Sequence, residues 1–283
     1  MPSTFEKDAD FRVGCCDSSE LIGADYRGDS HMTITIGWLR RRNNTVELMV
    51  ASDSRLRSHG ALDQVQKVFR LDRGDCCLAF CGDAQIAYPL FIQVGTTLNN
   101  FIKTRTRALD VTRLSSFVGQ ILNNLVESWD LPVKEKSVEL KNTRILFAGW
   151  SWENKRFDIG YFVPENCKFS FHHQTARMPH PWHEKKRSLV FIGDYEAAYM
   201  DELKSLLQDR YPLGRDQNKK IDLDFDYEPI EALQSLLMKD GERTAIGGAP
   251  QLVKIYPFGN SLPFVVRTNT DDHYLLGRRI FAW

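Results

Sequence analysis

A threonine hydroxyl is a weak nucleophile at neutral pH unless a base lies beside it, and a chain-terminal amine, with a pKa of about 8, can be that base. Thr33 directly follows Met32 and opens an alternating stretch, Thr33-Ile34-Thr35-Ile36-Gly37. As a first residue, Thr33 could use its own α-amine to activate its hydroxyl for attack on an amide carbonyl. Two routes lead there: self-cleavage of a leader, residues 1–32, or translation from Met32 followed by loss of that methionine. On the second route residues 1–31 fall outside the functional protein. Other chemistries find less support. Cys15, Cys16, Cys76, Cys77, Cys81 and Cys167 have no metal-ligand spacing and read as reduced thiols. His172, His173, His180 and His183 occupy an irregular basic stretch without a compact ligand motif, so neither metal nor organic cofactor is expected.

The elements that must position Thr33 are strands. Residues 33–39 alternate as a strand does, 40–45 supply a polar turn, and 46–51 return, which predicts a β-hairpin. Short strands are expected at 66–71 and 75–80. Asp83 can then cap a long helix reaching about residue 103, and a second helix fits 111–129. Strand patterns recur at 144–150, 157–163, 188–192, 251–257 and 263–267, with helices at 195–208 and 229–239. Such grouping argues for α+β layers over alternating βαβ units. Residues 209–227, rich in charge with Pro212 and Gly214, read as a surface insertion in a single domain spanning 33–283.

Composition bounds the partners. Lysine plus arginine equals aspartate plus glutamate, 37 against 37, so no net field attracts nucleic acid or an anionic membrane. No apolar run approaches the roughly 20 residues that cross a bilayer, and residues 1–32 lack a secretory apolar stretch. A cytoplasmic protein is expected.

From Thr33 onward the sequence resembles the proteasome β-subunit family of N-terminal-nucleophile (Ntn) hydrolases, and its bacterial relative, the ATPase-dependent two-component threonine protease. Four motifs occur in order: Thr33-Ile34-Thr35-Ile36-Gly37, Ala51-Ser52-Asp53-Ser54-Arg55, Val65-Gln66-Lys67-Val68 and Phe80-Cys81-Gly82-Asp83-Ala84. They are similar to the mature N-terminus, the Ala-x-Asp-Ser-Arg segment, the strand of the catalytic lysine and the turn opening the first long helix. The resemblance implies a four-layer αββα sandwich. It implies Thr33 as nucleophile, Lys67 as a cation favouring the deprotonated hydroxyl, and Asp53 holding Lys67 charged and oriented. Gly82 would offer a backbone N–H to an oxyanion, or serve only as a turn glycine. Arg55 reads as part of an internal structural pair.

The carboxyl-terminal half departs from the pattern. Ile192-Gly193-Asp194 is similar to the family's Gly-Ser, with Asp194 where a serine contacts the terminal amine. In Glu242-Arg243-Thr244-Ala245-Ile246-Gly247-Gly248, Arg243 stands at the acidic position and Ile246 at the serine. Asp194, or Glu242 with a one-residue shift, could serve the amine instead. Two readings stand: a threonine-type peptidase or other amidase, and a catalytically silent scaffold or ring subunit. For the first, the resemblance implies peptide or unfolded-protein substrates, a homo-oligomeric ring and an unfolding AAA+ ATPase partner.

Overall fold

The computed structural model describes residues 33–57, 60–173, 182–184, 189–211, 221–240, 246–268 and 271–281. Everything described belongs to the unit of residues 31–283. The leader expected at 1–32 lies outside the described residues, as do Glu242 and Arg243.

Two five-stranded antiparallel sheets form the centre of an α+β fold. In sheet I the strands lie in the order Leu189–Gly193, Ile34–Arg42, Thr45–Ser52, Gln251–Tyr256 and Asn260–Pro263. Sheet II runs in chain order: Val68–Arg70, Cys76–Cys81, Arg144–Ser151, Arg156–Glu165 and Lys168–His172. The helices are Ala84–Asn100 (α1), Ile102–Arg105 (α2), Val111–Glu127 (α3), Val133–Leu140 (α4), Glu196–Arg210 (α5) and Glu228–Asp240 (α6).

The predicted hairpin forms with Arg42 opposite Thr45, and Asn43 takes the positive φ of 54° that asparagine tolerates. The period of two sorts its side chains. Ile34, Ile36 and Trp38 pack with Tyr199 and Leu203 of α5 and Leu233 and Leu236 of α6. Leu48 and Val50 pack with Val190, Val253, Cys77, Ala79 and Leu146, joining the two sheets. On the other face of sheet II, Leu78, Phe80 and Phe147 meet Phe91 and Val94 of α1 and Leu114 and Val118 of α3. Strands buried on both faces explain runs such as Cys76–Cys81, every residue of which is buried.

Asp83 caps α1, accepting from the Gln85 N–H at 2.7 Å, and Asp110 caps α3, accepting from Thr112 N at 3.0 Å. The helix expected to reach residue 103 breaks at Phe101, whose φ of −87° and ψ of 117° are extended, and α2 starts anew. Helix α4 went unpredicted because only Leu140 of its eight residues is buried, leaving no apolar stripe. Within 209–227, residues 212–220 lie outside the described residues. The segment that follows is tied to sheet I: Phe225 is fully buried, and Trp38 Nε1 donates to the Asp226 carbonyl at 3.0 Å.

Candidate active site

The hairpin register sets the site. Thr35 faces Ser52, so Asp53, one residue beyond the second strand, lies beside the entry to the first. Asp53 N donates to Ile34 O at 3.2 Å, and Ile34 N donates to Asp53 Oδ1 at 3.3 Å. Lys67 precedes the edge strand of sheet II, where its carbonyl accepts from Phe80 N at 3.3 Å. Its side chain crosses to sheet I, with Nζ 2.9 Å and 3.0 Å from the two Asp53 oxygens and 3.2 Å from Thr33 Oγ1. Three residues spread over 35 positions of sequence thus meet, with Thr33 4%, Asp53 0% and Lys67 1% exposed.

An ammonium has three donors and no acceptor. Lys67 places one near each Asp53 oxygen and one near the Thr33 hydroxyl, an arrangement that suits the charged form. Burial pushes the Asp53 carboxyl up, and the Lys67 cation and the N–H groups of Ile34 and Arg55 oppose that rise. Gly247 N also approaches Asp53 Oδ2, at 3.4 Å. The pair therefore has the extra hydrogen bonds that a buried ion pair needs. A charged Lys67 can stabilise a developing alkoxide, but it cannot take the hydroxyl proton. With Lys67 charged, a base for that hydroxyl would have to be another group. In the chain as written Thr33 N is the peptide nitrogen joined to Met32, so it becomes basic only when that bond is cut.

Gly82 has φ of +101°, and a Cβ there would lie 2.4 Å from Asn142 O, so the turn itself demands glycine. Gly193 pairs with Ile34, and a Cβ on it would meet Thr33 O at 1.9 Å. Asp194 follows at the strand end with its side chain exposed. Among the described residues it makes no hydrogen bond to Thr33, Asp53 or Lys67. Arg55 forms a two-point pair with Asp63, at 2.6 Å and 2.8 Å, and donates to Ile246 O at 3.2 Å. Ile246 is buried among the residues packed between sheet I and its helices.

Sequence reasoning missed Gln251, which is fully buried and bonded to both the Asp53 and Lys67 backbones. Its signal was slight: one polar residue at the head of the apolar strand Gln251–Tyr256. It also missed Tyr88, whose hydroxyl donates to Gln66 O at 2.6 Å, tying α1 to the residue before Lys67. An open groove of about 660 Å³, lined by Arg107, Trp150, Trp152, Lys155 and Phe258, contains none of the site residues.

These features define a proteasome-like α+β fold. Among solved structures the chain is similar to the Anbu (Gly-1) mutant from Hyphomicrobium sp. strain MC1, with a TM-score of 0.52 and 14% identity over 87% of each chain. No family model and no curated protein matches the chain. Among the described residues no helix is long and apolar enough to cross a membrane.

Proposed function

We propose that the protein is a threonine-type Ntn hydrolase of the four-layer αββα class that cleaves amide bonds, with peptides as substrates and Thr33 as nucleophile. The observation that carries this reading is the buried triangle of Thr33 Oγ1, Lys67 Nζ and Asp53. Removal of residues 1–32 frees the Thr33 amine. That amine takes the hydroxyl proton as Oγ attacks the substrate carbonyl, and Lys67 steadies the negative charge on Oγ. The tetrahedral oxyanion is held by the Gly82 N–H at the start of α1. As the C–N bond breaks, the ammonium returns its proton to the leaving amine, giving an acyl-enzyme ester. Water, deprotonated by the same amine, attacks the ester and restores Thr33. No step calls on a metal or organic cofactor.

Ile92, Phe101, Ile102, Val133 and Val138, on the helices outside sheet II or at their ends, are exposed apolar side chains. They suit burial between subunits of a homo-oligomeric ring, with an unfolding ATPase as partner and the cytoplasm as location. Light scattering should give a multiple of the chain mass. Monomer alone at micromolar concentration would count against the ring.

A silent scaffold is the second reading, favoured by apolar Ile246 at a position where the resemblance expects a serine. Intact-mass analysis of the purified assembly separates the two. Hydrolysis of fluorogenic peptides by a chain beginning at Thr33, abolished by Thr33→Ala, supports the enzyme. An uncut leader in the mature assembly, with no turnover, supports the scaffold and sinks the proposal.

A further inference from the structure

We infer that Gln251 is the positioning residue of the site: its carboxamide sets where Asp53 and Lys67 stand relative to Thr33. Oε1 accepts from the Lys67 N–H at 2.9 Å and the Val68 N–H at 3.2 Å. Nε2 donates to the carbonyl of Asp53 at 3.0 Å and to that of Val65 at 2.7 Å. Both donors and both acceptor lone pairs of the amide are thereby used. The side chain is fully buried.

The place of these bonds gives them their consequence. Gln251 lies in sheet I opposite Ser52, the residue before Asp53. Lys67 belongs to the irregular stretch 63–67, which joins no strand ladder before Val68 begins sheet II. The backbone at Lys67 and Val68 therefore lacks a sheet partner on the side that Gln251 occupies. One carboxamide joins the Asp53 backbone in one sheet to the Lys67 backbone at the edge of the other. The Lys67 side chain spans the same gap to place Nζ 3.2 Å from Thr33 Oγ1. Movement of either backbone moves the ammonium off the hydroxyl, and displacement of about 1 Å at a reacting group can cost about 100-fold in rate.

This inference rests on the proposed hydrolase for its kinetic arm only. Gln251→Met keeps the volume and removes the polar atoms. In the processed protein it should lower kcat at least 10-fold with KM within 2-fold of wild type. Gln251→Glu supplies the discriminating readout. Protonated, the glutamic acid keeps the acceptor role and one donor. Ionised, it faces the Asp53 and Val65 carbonyls and cannot donate. Its kcat should approach wild type at acid pH and fall as pH rises, adding a limb to the profile that Gln251→Met and wild type lack. A folded Gln251→Met with wild-type kcat overturns the inference, as does a Gln251→Glu profile parallel to wild type.

If Gln251→Met does not fold, Gln251→Glu decides alone. If wild type shows no turnover, the hydrolase reading fails separately and NMR of the full chain decides. Wild type should show slowly exchanging Lys67 and Val68 amides and a slowly exchanging Lys67 ammonium. All three should exchange at least 10-fold faster in Gln251→Glu above its titration. Unchanged exchange overturns the inference.

Discussion

Lys67→Met tests the buried pair most directly, because methionine fills the lysine volume and leaves Asp53 without its cation. At 2.9 Å and an effective dielectric near 20, the pair's attraction is about 6 kcal/mol, an upper bound before desolvation is counted. Breaking a buried pair typically costs about 3–5 kcal/mol. Asp53 keeps the N–H groups of Ile34, Arg55 and Gly247 and can take up a proton, so a cost of about 3 kcal/mol is expected at pH 8.

The pH dependence follows from the direction of the shift. Burial already holds the Asp53 carboxyl above its ordinary value, and loss of Lys67 removes the main opposing charge. A folded value above the unfolded one means that folding takes up a proton. Wild type and variant should therefore lose stability together at first, and the variant should lose up to about 1.4 kcal/mol per pH unit more once the pH passes the wild-type folded value, levelling above its own. Adding Asp53→Asn removes the stranded charge, and the double variant should regain most of the stability while turnover stays about 100- to 10,000-fold down. Urea unfolding at pH 5 and pH 8, followed by tryptophan fluorescence, measures the first effect, and fluorogenic peptides the second. Equal midpoints for wild type and Lys67→Met at pH 8 would refute the reasoning.

Asp110 receives the N–H groups of Thr112, Trp152 and Glu153 and the hydroxyls of Thr112 and Ser151. Burial raises its carboxyl, yet these bonds outweigh burial and hold it below the ordinary range. Asp110→Asn should cost about 2 kcal/mol at pH 7, and the deficit should shrink below about pH 4 as the wild-type carboxyl protonates; urea midpoints across pH check this. Gly82→Ala forces a side chain against Asn142 O at positive φ and should lower stability by about 1–3 kcal/mol in thermal unfolding. Burial pushes the Cys81 thiol up to about 12, so it should resist iodoacetamide at pH 8 in the folded chain, with labelling counted by mass. Asp194→Ser should move the acid limb of kcat/KM to lower pH if the carboxylate raises the pKa of the free amine, and an unchanged profile places Asp194 outside the site.

What the sequence disclosed depended on how locally each feature is encoded. The hairpin was legible because alternation and the polar stretch 40–45 both lie within one segment, although the strands run through Arg42 and from Thr45, so that only Asn43-Asn44 turn. The Asp83 cap needed only its neighbours. The break at Phe101 was not legible, since Thr104 turns the chain there by bonding back to the Leu98 and Phe101 carbonyls while the apolar period continues. Asp53 and Lys67 could be named as a pair only through resemblance, because their meeting requires sheet I to lie against sheet II. Gln251 escaped notice for the same reason: its four partners are up to 198 positions away, and a lone glutamine at a strand head shows none of them.

On the proposed mechanism, the departure at Ile246 bears on one half of the chemistry only. Gly247 still approaches Asp53 through its backbone N–H, and its carbonyl accepts from Ser54 N at 3.0 Å. Arg55 holds the Ile246 carbonyl in the same way. Backbone contacts around the ion pair therefore survive an apolar side chain at Ile246, because none of them uses that side chain. What isoleucine cannot do is accept a hydrogen bond from an amine. On the proposed mechanism, the nucleophile's alignment and the amine's basicity are thus separable. The first depends on Lys67, Asp53 and Gln251, whereas the second waits on whatever group near Thr33 replaces a hydroxyl. A defect confined to the second half would leave the Lys67 ammonium ordered and the fold intact while moving the pH range of activity.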